Sequence, residues 1–261
     1  VVLEVSIVQE AVKATYTITA TGDYYLSLVH TDEATTPATV TTYTSFAGYV
    51  STTVVAGNPT AATITASGVP TSVFAGDVDF NILLADAYGN AVTTDQFINF
   101  FIVARGYGES LGEVTIASAD AVTWTGDKYS VSMPVTTAGT YNLEISRGVE
   151  AIADGNPYPL TIAAAPIYTP YTVIDGTGIA NFTAVEVSVS PADQFNNTVD
   201  LEAGASFKLE YRYSTGEIET PSSTVMPDKS IVFSGYTVTA AAESLSVVVL
   251  YSADALGTEV T

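Results

Sequence analysis

The chain has no cysteine, which excludes a disulfide framework, thiolate chemistry and every cysteine-ligated metal site. Positive charge is almost as scarce, with seven Lys and Arg against 28 Asp and Glu, for a formal net charge of −21. Neutralising a phosphate backbone or an anionic leaflet takes clustered Lys and Arg. Here Lys13, Lys128, Lys208, Lys229, Arg105, Arg147 and Arg212 are scattered along the sequence, so nucleic acid is excluded as a partner. His30 is the only histidine, which leaves little for acid–base chemistry at neutral pH. No run of about 18 apolar residues offers a membrane-spanning helix. Val1 starts no signal-peptide pattern, so a secreted protein would carry its leader and any anchor outside this segment. Charged residues of both signs make up only 13% of the chain, about half the share usual in soluble domains. Its surface must therefore be finished by Thr, Ser and Tyr.

What the 261 residues do contain is period-two alternation, the mark of half-buried strands. Val78, Phe80, Ile82 and Leu84 fall on one face of their segment, as do Tyr129, Val131 and Met133, then Tyr141, Leu143 and Ile145, then Val185, Val187 and Val189. Each run is short and closes on Gly, Pro, Asn or Asp, as strands of a sandwich do. No window carries a helical stripe. The sequence predicts an all-β chain.

Two signatures recur. Asp86-Ala87-Tyr88-Gly89-Asn90-Ala91-Val92 aligns with Asp193-Gln194-Phe195-Asn196-Asn197-Thr198-Val199 at an offset of 107 residues. Both follow an alternating run and both have an aromatic third and Asn fifth. The Asp suits an Asx-turn, and Gly89 or Asn196 tolerates positive φ. Ala138-Gly139-Thr140-Tyr141-Asn142-Leu143 aligns with Thr21-Gly22-Asp23-Tyr24-Tyr25-Leu26 at an offset of 117. A weaker third copy falls at Glu243 to Val247. These offsets predict units of roughly 100 residues, the size of one immunoglobulin-type sandwich. The boundaries expected are a partial unit over residues 1–57, a complete one over 58–165 and a third over 166–261 with its last strand missing. The first unit starts in mid-domain and the third stops early. Either the chain is a window on a longer repeat protein, or open sandwiches are completed by strand donation from neighbours.

With Ala75-Gly76, the Asp86–Asn90 turn, Ala138-Gly139-Thr140-Tyr141 and Gly155-Asn156-Pro157-Tyr158 leading into Leu160-Thr161-Ile162, the middle unit resembles a filamin-type repeat of the immunoglobulin-like folds. The likeness covers Pro59 to about Ala165. Bacterial immunoglobulin-like surface repeats share the Asp-x-x-Gly-Asn turn and stand as the alternative family. The resemblance implies tandem β-sandwiches with a structural or adhesive role. It does not imply actin binding, which filamins perform through separate helical domains.

Chemistry-bearing candidates are few. His30 sits beside Asp32 and Glu33 near several threonines, where a nucleophile–base pair is conceivable but a solvated loop histidine is the simpler reading, so no catalytic residue is assigned and no enzyme is expected. Asp154, Asn156 and Asp175 are the one group suggestive of hinge calcium, against the simpler reading of turn chemistry; no cofactor is otherwise expected. Asn181 and Asn196 begin N-glycosylation sequons, while Pro59 disqualifies Asn58. The stretch from Thr35 to Thr42 reads as a polar loop suited to O-linked sugars.

Phe100, Phe101, Ile102 and Val103 form an interface candidate, because a strand with one wet face should alternate and this one is apolar on both. Leaving the outward pair in water forfeits roughly 1.5–3 kcal/mol per side chain that burial would supply. Val247 to Leu250 carries the same feature. Three readings follow: a structural segment of an extracellular fibre, cell-surface hair or matrix; an adhesion or recognition module; and a cytoplasmic filamin-like cross-linker, which acidity, few lysines and sequons oppose. The expected partners are copies of itself, adjacent repeats or glycans.

Overall fold

The computed structural model describes residues 2–8, 11–26, 28–32, 39–43, 50–107, 111–117, 121–153, 155–168, 173–177, 184–201, 205–237 and 245–252. The β-branched, turn-punctuated sequence folds as strands, with one turn of 3-10 helix at Ala61–Thr63. Ahead of it lie β1 (Val2–Val8), β2 (Ala11–Thr17), β3 (Gly22–Leu26), β4 (Leu28–Asp32), β5 (Thr39–Tyr43) and β6 (Val50–Val54). They pair antiparallel as β1 with β2, β3 with β6 and β4 with β5. His30, expected in a loop, lies on β4 opposite Thr41, and β5 takes up part of the stretch read as a polar loop.

Ten strands follow: β7 (Ile64–Ser67), β8 (Ser72–Phe74), β9 (Gly76–Leu84), β10 (Phe100–Gly106), β11 (Glu113–Ala117), β12 (Val122–Trp124), β13 (Lys128–Val135), β14 (Gly139–Arg147), β15 (Glu150–Ala151) and β16 (Tyr158–Ala163). One sheet runs β12-β13-β9-β7. The other runs β11-β10-β14-β16-β8, with β15 on β14. The chain crosses between sheets early: β7 is antiparallel to β9, and after Gly68 (φ 72°) β8 runs parallel to β16. Every alternating set read from the sequence in this segment points between the two sheets. Val78, Phe80, Ile82 and Leu84 meet Tyr129, Val131 and Met133 from one side and Phe100, Ile102, Tyr141, Leu143 and Ile145 from the other, all buried. Tyr129 anchors the packing, edge-on to Phe100 (5.3 Å between centroids) and to Trp124 (4.9 Å). Such pairings add about 0.5–1.5 kcal/mol beyond area burial.

The remaining strands are β17 (Val173–Thr177), β18 (Ala184–Ser190), β19 (Ser206–Tyr213), β20 (Ile218–Glu219), β21 (Ser223–Val225), β22 (Ile231–Thr237) and β23 (Leu245–Ser252). They form sheets β17-β18-β22-β21 and β20-β19-β23 around a second, separate core of Val187, Val189, Phe207, Leu209, Tyr211, Tyr213, Ile231 and Phe233. The fold is all-β and immunoglobulin-like. The 107-residue offset carries β10 onto β19, with Phe100 on Phe207 and Ile102 on Leu209, both pairs buried. Val247 to Leu250 therefore lies on β23, the counterpart of β14, and not on the strand equivalent to Phe100–Val103. The two doubly apolar stretches are hydrogen-bonded neighbours in the repeat plan.

Candidate functional site

The two Asp-x-x-x-Asn turns are built alike. Asp86 Oδ1 accepts the N–H groups of Tyr88 (2.9 Å) and Asn90 (3.0 Å), and Asp193 Oδ1 accepts those of Phe195 (2.8 Å) and Asn197 (2.9 Å). Gly89 (φ 82°) and Asn196 (φ 66°) supply the left-handed residue that closes each turn. The fifth-position Asn then braces its own Asp: Asn90 Nδ2 donates to Asp86 Oδ2 (2.9 Å) and Asn197 Nδ2 to Asp193 Oδ2 (2.8 Å).

Each turn also reaches back to chain more than fifty residues earlier. Asn197 Nδ2 donates its second hydrogen to the Thr136 carbonyl (2.8 Å), and its Oδ1 accepts the Ala138 N–H (2.8 Å). Asn90 does the same to the Thr19 carbonyl (2.7 Å) and the Thr21 N–H (3.2 Å). Thr19 and Thr21 stand 117 residues before Thr136 and Ala138, so the two clamps use equivalent atoms throughout. The receiving loop is fixed in turn by a tyrosine corner. Tyr24 donates its hydroxyl to the Ala20 carbonyl (2.9 Å), and Tyr141 donates to that of Thr137 (2.8 Å). Lastly the connecting segment is pinned, Gly57 N–H to Asp86 Oδ2 (3.0 Å) and Ala165 N–H to Asp193 Oδ2 (2.8 Å).

The carboxylates are adapted to this duty. The Asn90 side chain and the Gly57 N–H hold Asp86 far below the usual carboxylate range. Burial pushes Asp193 up, but the bonds from Asn197, Ala165 and Phe195 outweigh it and its pKa is lowered. Both therefore stay charged, acceptor-only groups. Asparagine is the side chain that can complete the set, since two donors and an acceptor must sit on one planar head. A cleft of about 310 Å³ beside the first clamp includes Thr19, Gly57, Asp86, Tyr88 and Asn90 in its lining. One of about 540 Å³ beside the second includes Phe74, Ala138, Ala165, Asp200 and Lys229, with Lys229 paired to Asp200 at 2.8 Å.

Both halves of each clamp are visible in the sequence, but as motifs of separate repeats. The available signal was that Asn stays fixed at the fifth position while the left-handed residue before it changes from Gly to Asn. A purely local turn would have held the left-handed position fixed instead.

The interface candidate splits as a strand must. Phe100 and Ile102 are buried, Phe101 is 50% exposed, Val103 is half-buried and Arg105 is exposed. Register places Ser146, Glu144 and Asn142 of β14 beside Phe101, Val103 and Arg105. Arg105 bonds Glu144 (3.2 Å) and Glu113. This outward face borders a groove of about 710 Å³ whose lining includes Phe101, Val103, Arg105, Glu144 and Val149. On β19 the equivalent outward positions are Lys208, Glu210 and Arg212. Both Glu210 oxygens are occupied, one by Lys208 (2.6 Å) and the other by Arg212 (2.7 Å), and these two cations hold its carboxyl below the usual range. Val248 and Leu250 of β23 lie alongside.

Asn196 is exposed at its turn tip. Asn181 and Asp154 lie outside the described residues, as do the side chains of His30 and Asp175. Asn156 spends its side chain on the Ile145 backbone, accepting from N–H (3.1 Å) and donating to C=O (2.6 Å), which is a structural duty. Among the described residues no three of His, Asp and Glu gather as a metal site, and no helix is long and apolar enough to cross a membrane.

No family model and no curated protein matches the chain. Among solved structures it is similar to the Escherichia coli adhesin FdeC, with 18% identity over 80% of this chain and 67% of that one and a TM-score of 0.47. It is similar to invasin, a bacterial integrin-binding protein, with 18% identity over 93% of this chain but only 44% of that one and a TM-score of 0.46. It is also similar to the Lin-41 filamin domain, with 19% identity over 42% of this chain, all of that one and a TM-score of 0.32.

Proposed function

We propose that this chain is a stiff spacer, a structural segment of a cell-surface or extracellular protein, made of three sandwich units with boundaries near Asn58 and Pro166. The observation that carries the proposal is the pair of matching clamps. A flexible string of domains needs only a linker. Here each following unit grips the tyrosine-corner loop of the preceding one through an asparagine, with equivalent atoms both times, and ties down the connecting backbone through an aspartate, the N–H involved differing by one residue. Equivalent joints repeat one rigid step, so units strung this way form a rod of constant twist.

Composition supports the setting. A net charge of −21 with few lysines keeps such a rod soluble and away from anionic membrane. The clamped turns and sheet faces have the chemistry of cohesion and not of catalysis, and we assign the chain no enzymatic activity. Small-angle scattering on the full chain tests the reading. Profiles of an elongated rigid particle, unchanged between low and physiological salt, are expected. A flexible-ensemble profile would sink it.

A further inference from the structure

We propose that two copies of this chain pair antiparallel, the outer face of β10 and β14 in one lying on the outer face of β19 and β23 in the other. Four observations lead there. First, the fold does not require an apolar outer face on β10: the inward residues Phe100 and Ile102 recur as Phe207 and Leu209, whereas the outward Phe101 and Val103 give way to Lys208 and Glu210, and only Arg105 recurs, as Arg212. Phe101, half in solvent, is thus a choice of this unit and not a condition of its folding.

Second, the two faces are opposite in charge. On the first, Arg105 stands between Glu113 and Glu144, one cation against two carboxylates, a net −1. On the second, Lys208 and Arg212 flank Glu210, two cations against one, a net +1. In a chain of −21 a net-positive stripe is the exception, and it is the surface that an acidic copy can approach. Third, each face offers some aliphatic or aromatic surface beside its charges, Phe101 and Val103 on one and the half-buried Val248 on the other, where Glu210 and Leu250 are already covered and Lys208 and Arg212 stand out.

Fourth, area favours the antiparallel arrangement. A face three strands wide and seven residues long spans about 14 by 23 Å, well short of the roughly 800 Å² per partner that a stable complex buries. Antiparallel pairing makes the contact twice, the first face of each copy on the second face of the other, as a two-fold axis demands, for about 640 Å² per partner, the low end of the range of specific interfaces. The pairing goes beyond the spacer reading and does not need it: joint stiffness is read within one chain, pairing between two.

Sedimentation velocity on the full chain, from micromolar to millimolar, tests the proposal. A reversible dimer is expected. Phe101→Glu on the first face and Arg212→Gln on the second should each weaken it about tenfold or more, with thermal midpoints close to wild type showing that both variants fold. Glu144→Lys serves as a second variant on the first face. The decisive arm mixes Phe101→Glu with Arg212→Gln. A heterodimer of the two gathers both substitutions into one contact and leaves the other intact; since either substitution alone opens its contact, the heterodimer should form more tightly than either variant with itself. Pairing of like faces gives no such recovery, and its absence would overturn the proposal. So would a wild type that stays monomeric throughout. A monomeric wild type that binds polylysine through Phe101 would overturn it in favour of a foreign cationic segment.

Discussion

Replacing Asn197 by aspartate changes one NH₂ to oxygen at constant shape, and the clamp turns that into a large effect. The wild-type amide makes two bonds to the preceding unit, to the Thr136 carbonyl and from the Ala138 N–H, both at 2.8 Å. Two neutral bonds contribute about 1–3 kcal/mol net, and a tenfold change in population takes 1.4 kcal/mol. Losing them therefore raises the undocked fraction roughly 5- to 150-fold. Aspartate does worse than alanine, because it sets a carboxylate against both the Thr136 carbonyl and the Asp193 carboxylate that the amide now bridges. The chain has no cysteine, so Ser132→Cys and Thr224→Cys, both exposed, place spin labels on either side of the second clamp without background. The wild type should give a narrow label-to-label distance distribution. Asn197→Asp should broaden it strongly and Asn197→Ala less, with little change in the unfolding of the middle unit, whose core this turn touches only through the partly buried Phe195. Distributions identical in all three proteins would refute the reasoning, and a collapse of the whole fold would recast Asn197 as a fold determinant.

Tyr141→Phe removes only the hydroxyl bonded to the Thr137 carbonyl. It should cost about 0.5–1.5 kcal/mol in denaturant unfolding of the middle unit and should broaden the same label distances. Phe100→Ala should cost about 3–5 kcal/mol, whereas Phe101→Ser should leave stability within about 1 kcal/mol; equal losses would mean the inward and outward assignment is wrong. For acid, the sign follows from the lowered pKa values of Asp86 and Asp193. A carboxylate held below its unfolded value of 3.8 contributes stability that is present above that pH and lost as pH falls through the folded value. Label distances should thus stay narrow at about pH 5 and broaden only below about pH 4; broadening near neutrality would contradict it. Asn196 should carry a sugar when a eukaryotic host secretes the chain, and intact-mass measurement of secreted protein with an unmodified Asn196 would count against that assignment.

Much of the fold was legible because strand burial has a period of two and needs no knowledge of partners. Val78, Phe80, Ile82 and Leu84, with Tyr129, Val131 and Met133, name their core face from spacing alone, and all are buried. The repeat was legible for a similar reason, since Asx-turn chemistry is local and leaves the same residues at the same offsets. His30 escaped this logic: the polar run Thr31-Asp32-Glu33 that follows it reads as loop, yet pairing with β5 makes it strand.

What only the tertiary structure decided is what each outward or turn-tip side chain meets. Phe100 and Phe101 are adjacent and chemically identical, and the sequence could say that one faces in without saying which, because register is set by the partner strand. Asn90 and Asn197 read as turn residues, and so they are. Their second role depends on carbonyls and N–H groups that lie 71 and 61 residues away for the Thr19 and Thr136 bonds, brought to between 2.7 and 3.2 Å only by the folded chain. A hydrogen bond falls off within an ångström and carries no trace in the spacing of residues that far apart. The composition and pattern determined that this chain would be a row of β-sandwiches, and the packing of one on the next decided that the row is clamped.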